Sequence, residues 1–345
     1  MQPVSAVETL LSSPPTDLLR LLAVPVFGWA AARDIATRRV PNQTWLPLVA
    51  LGVLLLAVDV LAVLGADPFR QRLFAIHLVV SLGLVAPLGY VFWRLGGFGG
   101  ADAKAVMVLA LLFPEFPRFF LPGEVLPLVQ PPLGVFSLTV LSNTVLLGLA
   151  YPLVLAARNL ARGHRSLVMF VGKSVPVTAL ATAYGSLLES PDGFTRNGLD
   201  LDALRMYLRW RGLTLSELRA DPETYRDPDS LPAEGDRHDP GDGALADGAP
   251  IADGGQVESA TATDAAKPDP VDEWGAATFL ANIEGDAYGT TPEKLRGGLE
   301  LLARVDEVWL TPGMPFIVPM FVGLVVALGF GDLLYALLQL VGLVP

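Results

Sequence analysis

The residues best suited to chemistry in this 345-residue chain are carboxylates. It has no cysteine, and its three histidines, His77, His164 and His238, are scattered along it. That excludes disulfides, thiolate zinc sites and a cysteine nucleophile, and no metal site is expected. Four aspartates lie in or beside long apolar runs: Asp34, Asp59, Asp102 and Asp332. An ionisable side chain in a membrane span is costly and is a functional candidate for that reason. Two carboxylates meeting in a partly dry site cannot both ionise easily, so one keeps a proton and the other is a base. Such a pair can turn water against a peptide carbonyl. The ionised Asp takes the water proton and the protonated Asp hydrogen-bonds the carbonyl oxygen. The route needs neither metal nor cofactor. The pair titrates as a unit, so the sequence alone assigns neither acid nor base.

The elements that must position such a pair are apolar helices. Apolar residues make up 52% of the chain and charged residues 17%. Roughly 20 apolar residues cross a hydrocarbon core of about 30 Å. Apolar runs cover 17–32, 43–66, 73–93, 103–121, 133–157 and 314–344. The predicted fold class is therefore all-α, a polytopic membrane bundle of about six helices. No basic stretch precedes the first run, which is expected to stay as a span. Arg33, Arg38, Arg39, Arg94, Lys104, Arg158, Arg162, Arg165 and Lys173 all fall on one side of this pattern. The excess of positive charge makes that side cytoplasmic and puts both termini outside.

Depth then separates the acids. Asp34 ends the first helix at the cytoplasmic edge, just before Pro41 and Asn42, and Pro41 forces Val40 out of helical geometry. Asp102 follows a glycine run, Gly96–Gly97 and Gly99–Gly100, that allows a tight turn. It falls in the first turn of the fourth helix, where the helix dipole favours a carboxylate. Both acids thus lie at one membrane face. Asp59 is about 25 Å from that face, counting from Asn42, and Asp332 about 27 Å, counting from Met314. Those two are expected to serve packing or loop edges, although Gly329–Phe330–Gly331–Asp332 imitates a catalytic string. His77 is expected to be a packed or interfacial residue. Lys104 is expected to support Asp102 or to anchor at the headgroups.

The predicted organisation places spans one to five and both acids in 1–157. Cytoplasmic helical segments follow at 158–220 and 274–313, and the last span is 314–345. The run 167–188, interrupted by Lys173 and Pro176, reads as interfacial or part of the cytoplasmic insertion. Asp200–Gly212 reads as an amphipathic helix. Thr291–Pro292–Glu293 reads as a helix start, with the helix running towards Trp309 until Pro312 stops it. Residues 221–273 hold fifteen acids against three bases, which accounts for the net charge of -11. So polar a stretch cannot offset its ordering entropy and is expected to be a disordered acidic linker, of a composition suited to a high-salt cytoplasm.

Three segments resemble the prepilin peptidases, the membrane aspartic proteases of type IV pilin and archaellin systems, in their archaeal branch. Asp34–Asn42, with its Val40–Pro41–Asn42 end, resembles the family's first catalytic stretch. Gly99–Gly100–Ala101–Asp102–Ala103–Lys104 resembles its second. Val308–Pro312 with Met314–Phe316 resembles the join to the last helix. The resemblance implies Asp34 and Asp102 as the catalytic acids, with Pro41, Asn42, Gly99, Gly100 and Lys104 supporting them. It implies a prepilin or pre-archaellin substrate with a short basic leader before a hydrophobic helix, cut at the cytoplasmic face of the cell membrane. No cofactor and no nucleic-acid partner is expected, and the oligomeric state is left open. Two other readings stand beside it. A presenilin-type intramembrane protease would pair Tyr-Asp with Gly-x-Gly-Asp, but Arg33 precedes Asp34 and no Pro-Ala-Leu is present. An ion or solute transporter would use Asp59 and Asp332, but no inverted repeat accompanies them. A non-catalytic membrane scaffold is a third.

Overall fold

The computed structural model describes residues 6–95, 98–195, 198–243, 272–283, 287–313 and 315–345. It divides into two compact units, Met1–Tyr151 with Pro315–Pro345, and Pro152–Met314.

The first unit is helical. Asn42–Leu64, Pro68–Arg94 and Phe136–Ala161 are long and apolar enough to cross a membrane. The expectation of about six spans is met by length in these three only. The other runs are broken. The first divides into Pro15–Arg20 and Ala23–Thr37. The helix Gly100–Leu112 stops before Pro114 and Pro117, and the rest of that run is a hairpin, Phe119–Leu121 with Glu124–Leu126. The last run forms Ile317–Gly329 and Leu333–Leu340. Gly331 makes that break. Its φ is +107°, and a Cβ there would lie 1.9 Å from the Val129 carbonyl oxygen. Only glycine permits both the conformation and the close approach.

These helices share one core. Phe27 and Ala30 face Met320 and Leu324, and Val106 and Leu109 fill the centre. Phe27 meets Trp45 edge-on at 5.3 Å. Helix Pro68–Arg94 contains a π-type turn at Ser81–Val85. The Ser81 hydroxyl there bonds the Ala110 carbonyl and the Ser137 hydroxyl, each at 2.7 Å. A cavity of about 10 Å³ beside it, room for about one water, is lined by Val85, Ser137, Thr144 and apolar neighbours.

The second unit corrects the all-α expectation. Glu307–Thr311 is the central strand of a three-stranded antiparallel sheet, between Lys173–Pro176 and Ser186–Leu187. A further small hairpin joins Glu189–Ser190 to Gly193–Phe194. The run 167–188 therefore belongs to this unit's sheet. The amphipathic helix forms as Leu201–Arg211, capped by the Asp200 side chain and ended by Gly212 at φ +67°. Pro292–Arg304 starts where expected, with the Thr291 hydroxyl accepting from the Lys294 amide. It ends at Arg304 and does not run on to Trp309, because 307–311 is held in the sheet. The linker expectation also needs correction at its start. Residues 221–243 carry short helices at Pro222–Arg226 and Pro228–Ser230, and Tyr225 and Leu231 pack on the core. Arg211 donates to the Tyr225 carbonyl at 2.6 Å and Arg205 to the Gly243 carbonyl at 2.7 Å. Two apolar anchors and buried arginines thus order a segment whose composition alone is unfavourable. Residues 244–271 of the expected linker lie outside the described residues. Nearby, burial pushes the Tyr207 hydroxyl up to about 12.

Candidate active site

Asp34 sits three residues before the end of helix Ala23–Thr37 and is 9% exposed. Arg38 ends that helix in a left-handed conformation at φ 56°, with its N–H donating to the Asp34 carbonyl at 3.0 Å. The turn brings the Arg38 charge within electrostatic reach of the Asp34 carboxylate. The Ile317 backbone N–H, at the start of helix Ile317–Gly329, donates to the same carboxylate. An exposed amide at a helix start is a natural partner for an anion.

Asp102 lies in the first turn of helix Gly100–Leu112. Its Oδ2 accepts from the Gly99 N–H at 3.0 Å, so the carboxylate folds back over the turn that precedes the helix. Asp34 and Asp102 are 68 positions apart in sequence, and the fold brings their carboxyl groups within reach of each other's charge.

The expected supporting residues surround this pair. Pro41 precedes the 3-10 turn Asn42–Trp45, which leads into helix Leu46–Leu64. The Lys104 ammonium donates to the Asn42 side-chain carbonyl. That bond ties the Asp102 helix to the chain that leaves Asp34. Gly99 supplies the N–H that Asp102 accepts, and Gly100 opens the helix. Among the described residues, no group of three or more His, Cys, Asp or Glu side chains could hold a metal ion.

The other acids are engaged elsewhere. Asp332 caps helix Leu333–Leu340, accepting from the Tyr335 N–H at 2.8 Å and from the Thr139 hydroxyl at 2.7 Å. Asp59 is paired with Arg20. Arg20 also bonds Asp17 at 2.7 Å and the Leu112 carbonyl at 2.7 Å, closing the C-terminal end of the Asp102 helix. His77 is packed, 6% exposed, with Nδ1 2.7 Å from Glu115. Glu115 is gripped by Arg70 at 2.5 and 2.7 Å. Neither Asp59 nor Asp332 lines the bundle cavity, the feature a transporter would need. Sequence reading overlooked Asp17 and the Ile317 amide. The i, i+3 spacing of Asp17 and Arg20 was a usable signal for the first. Nothing local marks the second.

A helical bundle long enough to cross a membrane, with two carboxyl groups drawn together from separate helices, defines a membrane protein with a candidate aspartyl pair. Residues 21–153, which hold both acids, match the type IV leader peptidase family, and this segment belongs to it. The prepilin peptidase EppA of Methanothermobacter thermautotrophicus is 31% identical over 130 residues, 36% of this chain and 31% of that protein. The preflagellin peptidase of Methanocaldococcus jannaschii is 26% identical over 157 residues, 43% of this chain and 63% of that protein. The preflagellin peptidase of Methanococcus maripaludis is 26% identical over 156 residues, 43% of this chain and 64% of that protein. The chain thus spans from about a third to just under two thirds of the length of the curated relatives it matches. No solved structure matches it.

Proposed function

We propose that the chain is a membrane aspartic endopeptidase that removes class III, prepilin-type signal peptides from pilin or archaellin precursors at the cytoplasmic face. The observation that carries this reading is the approach of Asp34 to Asp102 within the segment matched to the leader peptidase family. The names of the relatives support the substrate class.

Asp34 and Asp102 are the catalytic residues of this reading. Together they bind one water and share one proton. As the water oxygen bonds to the scissile carbonyl carbon, its proton passes to the ionised carboxylate. The protonated carboxyl donates to the carbonyl oxygen. The C–N bond then breaks, and a proton returns to the leaving amine. Lys104 and Asn42 hold the two acid-bearing segments in register. Six spans are proposed, with the broken helices Ala23–Thr37, Gly100–Leu112 and Ile317–Gly329 completing the bundle. The proposed cytoplasmic insertion is 158–313.

Co-expression with an epitope-tagged prepilin tests the proposal through the mobility shift of the processed form. Wild type should cleave. Asp34→Asn and Asp102→Asn should each reduce cleavage by at least a thousandfold while still inserting in the membrane. Asp332→Asn should retain most activity, because Asn is also a good N-cap. Normal processing by Asp102→Asn would sink the mechanism.

A further inference from the structure

A shared proton need not be shared equally, and the groups around the two acids differ. Resting on the peptidase reading, we infer that Asp34 is the ionised member that takes the water proton, that Asp102 holds the shared proton, and that Arg38 and the Ile317 amide are positioning groups that fix this division. Four observations carry it. Asp34 receives an N–H from Ile317, contributed by the start of a different helix. A full positive charge, Arg38, stands within reach of Asp34 and is held there by the left-handed turn at φ 56°. Asp102 accepts one N–H, from Gly99, on Oδ2, which leaves Oδ1 for a proton. The charge that bears on Asp102 is the negative one of Asp34.

Both acids lie close to a helix start, so the partial charges of the helix ends do not separate them. The difference is Arg38. A formal charge near a carboxylate outweighs the partial charge of one amide, and a nearby carboxylate opposes a second ionisation. The groups facing Asp34 are Arg38 on its own helix, Asp102 from the second acid helix and the Ile317 amide from the last. Tyr151 lies within reach of Arg38. The neighbouring Arg33 points away, its guanidinium 5.6 Å over the Trp29 ring.

The acid limb of kcat/KM reports the ionisation of the base in the free enzyme. The test is the pH profile of prepilin cleavage by the full chain in detergent, for wild type, Arg38→Gln, Arg38→Lys and the control Arg94→Gln. Thermal melting identifies the variants that fold. Loss of the Arg38 charge makes Asp34 harder to ionise, so the acid limb of Arg38→Gln should move up by about half to one pH unit. Arg38→Lys should restore the wild-type limb, and Arg94→Gln should leave it in place. An unshifted limb in a folded, active Arg38→Gln overturns the inference. So does a folded Arg38→Gln that is inactive at every pH while Arg38→Lys is active, since Arg38 would then be a substrate contact. Failure of wild type to cleave any prepilin is a different result. It removes the peptidase reading itself, and this inference with it.

Discussion

Gly99 acts through the side chain it lacks. A Cβ there would lie 3.1 Å from Asp102 Oδ2, tighter than an ordinary contact, so the carboxylate would have to move. At Gly100 the nearest atom to an added Cβ is Trp93 Nε1 at 3.7 Å, which leaves room for a methyl group. Gly99→Ala should therefore lower kcat/KM about tenfold, since small displacements of reacting groups are costly. Gly100→Ala should stay within about twofold. Steady-state kinetics on one prepilin compare the two, and equal losses would show that the turn as a whole matters more than the carboxylate contact. At this scale the acids were legible in the sequence. Each sits in a short string whose turn chemistry is local, Pro41 after Asp34 and the glycines before Asp102. The Ile317 amide was not legible, because its partner Asp34 is remote in the chain and a backbone N–H leaves no trace in residue type.

The elements are joined by a few polar bonds between helices. Lys104 to Asn42 joins the Asp102 helix to the turn at the head of helix Leu46–Leu64, and Arg20 closes the other end of the Asp102 helix on Leu112. A partly buried bond from a charged donor to a neutral acceptor contributes about 1–2 kcal/mol. In a cycle of Lys104→Met, Asn42→Leu and the double variant, the two changes should couple by about 1 kcal/mol in thermal stability. The double variant should cleave no more slowly than the worse single one. Additive losses would mean that the two side chains act separately. Element starts were legible because caps are local: Thr291 begins its helix as its sequence indicates. Element ends were less so. Glu307–Thr311 looks helical in continuity with Pro292–Arg304, yet it pairs with Lys173–Pro176 far back in the chain. The start of the acidic segment was misread for the same reason. Tyr225 and Leu231 gain their burial from a core built by other parts of the unit.

For the molecule as a whole, hydropathy counts apolar residues and ignores breaks. That is why six runs correspond to three helices of spanning length. Pro114 and Pro117 stop one run, and Gly331 divides another where it meets Val129. The proposed six-span arrangement must therefore be tested by sidedness and not by helix length. The chain is well suited to it, because it contains no cysteine and each introduced thiol is read without background. Glu124 lies on an exposed hairpin between the fourth and fifth proposed spans, and Ser166 is exposed after the fifth. Glu124→Cys should react with a membrane-impermeant maleimide in intact cells. Ser166→Cys should react only after the membrane is opened. The reverse pattern would put Asp34 and Asp102 on the outer face, away from a precursor still carrying its leader in the cytoplasm. Labelling of both from outside would break the six-span count, because the proposed fifth span lies between them. Protection of both in intact cells would do the same. Only the first pattern leaves the acid pair where a leader and its hydrophobic helix first meet the membrane.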